Sequence, residues 1–318
     1  MPDPRSTGTP RFLRRLVIAA CGAALLAAFA PGGVGAVGVT QPVGSQVAVG
    51  DFVRPATANA TSPVIVFLHD AMSHHDAKPI ARMRAALAER GFTVLTPTLT
   101  LSIDRRNAPF DCRLVHTHRL GDGVSELDLW VAALRQAGYR NIWVGGIGLG
   151  ANVAARFLRN SAKDATVTGG VLVDPYAEPN GQQGVQDAYA LRFGLPLAPI
   201  LTQAERLVAA GRGSKGFDAP GLLECKDART SAESFLSYLG PDPDRDTPAL
   251  VARIAKPVLV LENADDPDGE AVLQRVGDIR ARTELKVQML PPGDREYHGK
   301  AADDAADAIA LFAARFPR

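Results

Sequence analysis

The feature that most restricts the fold of this chain is an alternation of short, continuous apolar runs with amphipathic helical stretches. PVIVFLH (63–69) is rich in β-branched residues and shows no polar face, the pattern of a strand covered on both sides. Ile80, Met83 and Leu87 then share one helical face before Gly91 ends the helix. FTVLTPTL (92–99) is a second strand, and Val124, Leu127, Val131 and Leu134 mark a second helix that stops near Gly138. NIWVGG (141–146), a helix over about 149–160 and VTGGVLVD (167–174) continue the order. Such an order predicts an α/β fold, a mostly parallel central sheet flanked by helices.

Between Asp174 and Pro257 the alternation breaks. Helical patches at LTQAERLVAA (201–210) and SAESFLSYL (231–239), separated by glycine, proline and charge, predict a helical cap inserted over about 177–250. The sheet resumes with PVLVLENADDPD (257–268) and LKVQML (285–290), and Ala305, Ile309, Phe312 and Phe316 place one apolar face on a closing helix. Trp130 and Trp143 fall in helix and strand patterns and are read as core.

The first 36 residues stand apart. Arg5, Arg11, Arg14 and Arg15 precede the apolar run LVIAACGAALLAAFA (16–30), and Val34 and Ala36 suit a signal-peptidase site. The run is shorter than the ~20 residues a membrane span needs. Residues 1–36 are therefore expected to be a signal peptide removed on export, leaving 37–318 as one domain without stable membrane insertion, periplasmic or secreted. An uncleaved segment would leave it membrane-anchored. The pair Arg14-Arg15 leaves Sec and twin-arginine export both open. The exported part keeps 31 basic and 33 acidic residues, a balance that offers no patch for nucleic acid. Its two cysteines, Cys112 and Cys225, are either a disulfide, as an oxidising compartment allows, or two buried thiols.

Ligands of open α/β sheets bind beyond the carboxyl ends of the strands, which directs attention to the loops after His69, Gly146, Asp174, Asn263 and Pro291. The loop VGGIGLGAN (144–152) admits two readings. Gly146, Gly148 and Ala151 fit the G-x-G-x-x-A loop that cradles a dinucleotide phosphate, and Asp174 ends the following strand. That fingerprint normally opens its domain, whereas here a β-α-β-α unit precedes it. In the other reading Gly146, Gly148 and Gly150 take the places of a G-x-S-x-G turn. With the strand ending in His69, the insertion, the acidic loop after PVLVL and the late His298, residues 63–316 resemble the α/β-hydrolase superfamily, esterase- or lipase-like.

The resemblance implies hydrolysis of an ester or thioester, with His298 as general base and Asp266 orienting it; Asp174 is the secondary acid. It also implies an oxyanion pocket from the backbone N–H of Leu149 and one near Asp70 or Ala71. Two positions depart from the pattern. Gly148 stands where the family carries its nucleophilic serine, and Asp70 stands where it often has glycine, which alters the oxyanion loop. The chain is accordingly expected to be a degenerate member that holds a small-molecule ligand or acyl substrate, without a cofactor. Alternatives are an active hydrolase using His298-activated water or a displaced nucleophile such as Ser73 or Ser102, and a dinucleotide-binding oxidoreductase. Restoring serine at 148 is expected to recover activity that requires His298.

His69, His74, His75 and Asp76 lie together in HDAMSHHD, but adjacent histidines tend to point apart, so the stretch reads as a polar loop at the pocket edge and no metal is expected. His116 and His118 are read as surface or loop-packing residues, and Asp265 and Asp268 as solvated neighbours of Asp266.

Overall fold

A computed structural model describes residues 35–59, 61–178, 181–266, 269–279, 284–292, 297 and 300–317. His298, Asp268 and all but the last two residues of the expected signal peptide lie outside the described residues.

The apolar runs become the strands of one sheet. These are β3 (Val64–Leu68), β4 (Thr93–Thr98), β6 (Ile142–Ile147), β7 (Val167–Val173), β10 (Val258–Asn263) and β11 (Leu285–Leu290). Every residue of β3, β4, β6, β7 and β10 is buried, which is why their sequences carry no polar alternation. Two further strands, β1 (Val37–Val43) and β2 (Gln46–Val53), form an antiparallel hairpin added at one edge. The strand order is β1-β2-β4-β3-β6-β7-β10-β11, parallel from β4 onward.

Helices cover both faces. On one side α1 (Lys78–Glu89) and α9 (Lys300–Ala313) bury Met83, Leu87, Ile309 and Phe312 around Trp143. On the other, α2 (Leu120–Gln136) and α3 (Leu149–Asn160) bury Leu127, Trp130, Leu134 and Leu158. Both tryptophans are core, as their positions in the pattern implied.

The segment between β7 and β10 is not purely helical. It carries α4 (Gly181–Phe193), α5 (Leu197–Ala209), the hairpin β8 (Gly216–Leu222) and β9 (Cys225–Ser231), then α6 (Ala232–Leu239) and α7 (Thr247–Val251). The hairpin pairs with the short β5 (Val115–His116) in a separate three-stranded sheet. The two helical patches in the sequence are α5 and α6; the strands between them had no apolar run to announce them. Cys112 and Cys225 are joined in a disulfide that ties the loop before β5 to the first residue of β9. The return of the segment is fastened to α3, where Asn152 Nδ2 donates to the carbonyls of Asp244 and Arg245 and to Thr247 Oγ1. A buried Glu178–Arg245 ion pair adds to this junction. After β10, α8 (Gly269–Gly277) leads toward β11. Among the described residues no helix is long and apolar enough to cross a membrane.

Candidate functional site

The carboxyl ends of β3, β6, β7 and β10 converge on a cavity of about 380 Å³. Asp70, Gly148, Leu149, Asp174 and Asp266 line it, so the topology brings most of the sequence-derived positions to one place. Arg192 from α4, Glu224 from the hairpin tip and Arg275 from α8 complete the walls, and sequence spacing marked none of these three.

The turn from β6 to α3 explains its glycines. Gly148 has φ 58° and ψ −121°, a conformation that side-chain-bearing residues hold only under strain. Gly150 packs against the carbonyl of His69, so a Cβ there would collide with backbone. At Gly148 the obstacle is a side chain. A Cβ would fall within the envelope of Asp70 Oδ1 and Cγ, and 2.8 Å from Oδ2. The carboxylate of Asp70 thus fills the space that a side chain on residue 148 would enter.

The same carboxylate takes the two backbone donors. Asp70 Oδ1 accepts from the N–H of Ala71 at 2.7 Å and of Leu149 at 2.8 Å. The two N–H groups therefore converge on one point, the geometry required of an oxyanion pocket, and that point is occupied by an oxygen of the chain itself.

The loop holding Asp70 is clamped from below. His69 is buried, and its pKa is lowered to about 3, first by burial and then by the charge of Arg106. Neutral imidazole suits its contacts: Nδ1–H donates to the carbonyl of Asp70 at 2.6 Å, and Nε2 accepts from the N–H of Leu99 at 3.1 Å. Arg106, brought down to about 10 chiefly by burial, donates to the carbonyls of Leu99, Ser73 and Ala108.

Asp174 sits at φ 40°. Its Oδ1 accepts from the N–H of Asn263 and its Oδ2 from the hydroxyl of the buried Tyr297, both at 2.8 Å. Asp174 is thereby linked to the residue before His298. Asp266 also lines the cavity, in a turn where its N–H donates to the carbonyl of Asn263.

Glu224 lies at the rim, and its carboxyl is pushed up, first by partial burial and next by the negative charge of Asp70, with Arg192 acting the other way. A second cavity of about 340 Å³ shares Asp70, Ala71 and Glu224 as walls and also contains Ser73 and His74. Ser102 sits in a turn at φ 66°, its N–H donating to Thr100 Oγ1. The rings of His74 and His75 stand at 90° to each other, and His75 Nδ1 contacts Thr98 Oγ1. Among the described residues no group of three or more His, Cys, Asp or Glu side chains is arranged to hold a metal ion. His116 and His118 pack inside, against Ser234 Oγ and the Tyr238 hydroxyl.

Neither a protein-family model nor a curated protein sequence matches this chain. Solved structures do. Est1E from Butyrivibrio proteoclasticus with bound ferulic acid aligns with a TM-score of 0.61 at 12% identity, over 87% of this chain and 98% of that one. A dienelactone hydrolase from Anabaena variabilis aligns at 0.54 and 13% identity, over 89% and 99%. The fold is that of the α/β-hydrolases. An esterase from Pyrococcus furiosus aligns at 0.56 and 14% identity, over 99% of this chain and 97% of its own. On this α/β-hydrolase scaffold the dinucleotide alternative loses its phosphate site, because the first N–H of α3, which that fingerprint turns toward a pyrophosphate, already serves a carboxylate.

Proposed function

We propose that this chain is an exported α/β-hydrolase-fold protein that holds a small molecule in the cavity at the β-strand ends and does not form a serine acyl-enzyme. The observation that carries this reading is the position of Asp70. One carboxylate occupies both the space of an elbow side chain and the meeting point of the Ala71 and Leu149 N–H groups. Toward esters the protein is therefore a degenerate member, with neither the hydroxyl nor the vacant donor pair that acyl transfer needs. A volume of about 380 Å³ suits a small ligand. The disulfide accords with an oxidising compartment, and the apolar run of 16–30 supports export.

Hydrolysis of short and medium p-nitrophenyl esters tests the reading. The protein itself is expected near background. Gly148→Ser alone is also expected near background, in contrast to the expectation from sequence, because the new Cβ meets Asp70. Asp70→Gly combined with Gly148→Ser clears that space and is expected to gain at least ~100-fold over background, the order contributed by an oxyanion pocket. Ester hydrolysis by the unmodified protein that a phosphonate probe abolishes by labelling a serine refutes the reading.

A further inference from the structure

The inserted segment carries a helix with apolar residues on two sides. The inner side of α4 buries Val185 and Tyr189; the Tyr189 hydroxyl donates to the carbonyl of Gly221, and its ring packs on Phe193 and Phe235. These contacts hold α4 to the hairpin. The outer side presents Ala188 and Leu191 to solvent, three residues apart and so on one face, and Leu195 extends this surface into the turn before α5. Leu191 is 90% exposed and Leu195 49%. The outer face of a surface helix is normally polar, and an apolar one marks a contact surface.

The charges beside this face bear on what covers it. At 3.6 residues per turn, Asp187 and Arg192 project about 140° apart, one on each flank of Ala188 and Leu191. Asp187 Oδ1 accepts from Gln183 Nε2 at 2.8 Å, and the Arg192 guanidinium lies over the neighbouring ring of Phe193. Among the described residues neither charge makes an ion pair. A helix that lies on lipid carries cations beside its apolar face, and Asp187 works against that. Opposite signs on the two flanks suit a second helix of the same kind.

We propose that α4 is a homodimer contact, packed alongside α4 of a second copy in the same direction about a twofold axis. Ala188, Leu191 and Leu195 follow the 3-4 spacing of a coiled-coil seam, so each meets its own counterpart across the axis. Asp187 precedes the seam residue Ala188, and Arg192 follows the seam residue Leu191. In parallel helices these two flanking positions face each other across the seam. The Asp187 carboxylate of one copy therefore meets the Arg192 guanidinium of the other, and symmetry makes the contact twice. An antiparallel arrangement would bring like-charged flanks together. Arg192 also lines the strand-end cavity, so the contact lies beside the cavity wall. One helix and a turn make a small interface, under ~1,200 Å², and the dimer exchanges with monomer.

Sedimentation of the purified protein, its disulfide intact, from about 1 µM to about 1 mM tests this, whatever the cavity binds. A monomer–dimer equilibrium within that range is expected. Leu191→Ser removes the contact from both copies at an exposed position and is expected to weaken association at least ~10-fold, with the melting temperature unchanged. Asp187→Lys and Arg192→Glu are each expected to sediment as monomers, because each sets like charges opposite one another. An equal mixture of these two variants is expected to restore a dimer with one copy of each, since every flanking position then meets its opposite charge. A monomer throughout overturns the proposal, as does a dimer that Leu191→Ser or the charge variants leave intact. A dimer that the charge variants lose and mixing does not restore overturns the pairing of Asp187 with Arg192 on which it rests. Monomers that bind vesicles of phosphatidylcholine and phosphatidylglycerol through Leu191 overturn it in favour of a lipid surface.

Discussion

Removing the Cys112–Cys225 disulfide by a double alanine substitution should cost stability in an amount set by the chain it closes. The two cysteines are 113 residues apart. Cross-linking that length removes loop-closure entropy from the unfolded chain worth about 5 kcal/mol at 25 °C. For a folded part of some 280 residues this corresponds to a fall in melting temperature of roughly 8 °C. The loss should also have a place. Cys225 begins β9 and follows Glu224, so the hairpin tip that brings Glu224 to the cavity should loosen before the central sheet does. Calorimetry of oxidised and double-alanine protein measures the global change, and amide hydrogen exchange locates it. A shift smaller than about 2 °C would show that the bond does not constrain the unfolded chain, and protection lost equally from β3 and β9 would show that it does not hold the tip.

Two further outcomes test the packing beneath the site. His69 and His116 are both held down to about 3 by burial, so they are neutral in the fold and protonate near 6.5 when it opens. Their stabilisation is complete above pH 6.5 and is lost as the pH falls toward 3; at pH 5 it has weakened by about 2 kcal/mol per histidine. Urea unfolding at pH 7 and pH 5 should reveal this, with His116→Gln removing about half of the dependence; a midpoint that does not move with pH contradicts the burial argument. At Gly150 an added Cβ meets the carbonyl of His69, whereas at Gly121 it meets open space. Gly150→Ala should therefore lose about 3 kcal/mol or more, and Gly121→Ala should gain about 0.5 kcal/mol. Similar denaturation midpoints for the two variants would remove the close-approach explanation of the turn.

What the sequence disclosed of this fold follows from how each part is covered. Strands such as Val64–Leu68 and Val258–Asn263 are buried on both faces and read as unbroken apolar runs. The hairpin Gly216–Ser231 is half exposed, and Pro220, Asp218 and Lys226 dilute the few apolar residues it buries. The β1–β2 hairpin likewise turns at Gly44, φ 58°, between strands interrupted by Pro42 and Gly50. At the site, the loop positions were legible because each follows a strand, but their mutual contact was not. Asp70 and Gly148 lie on different loops, and no spacing rule joins them. The one trace in the sequence is a double exchange: a side chain is missing at 148 and one is present at 70, where the resembling family tends toward the reverse. The structure makes these two exchanges a single event in space, since the carboxylate fills the room that the glycine leaves. A double-mutant cycle over Asp70→Gly and Gly148→Ser should accordingly be strongly non-additive in stability, with a coupling of about 2 kcal/mol or more. Additive effects would mean that the carboxylate turns away without cost, and the reading of Asp70 as the occupant of the elbow would fall with them.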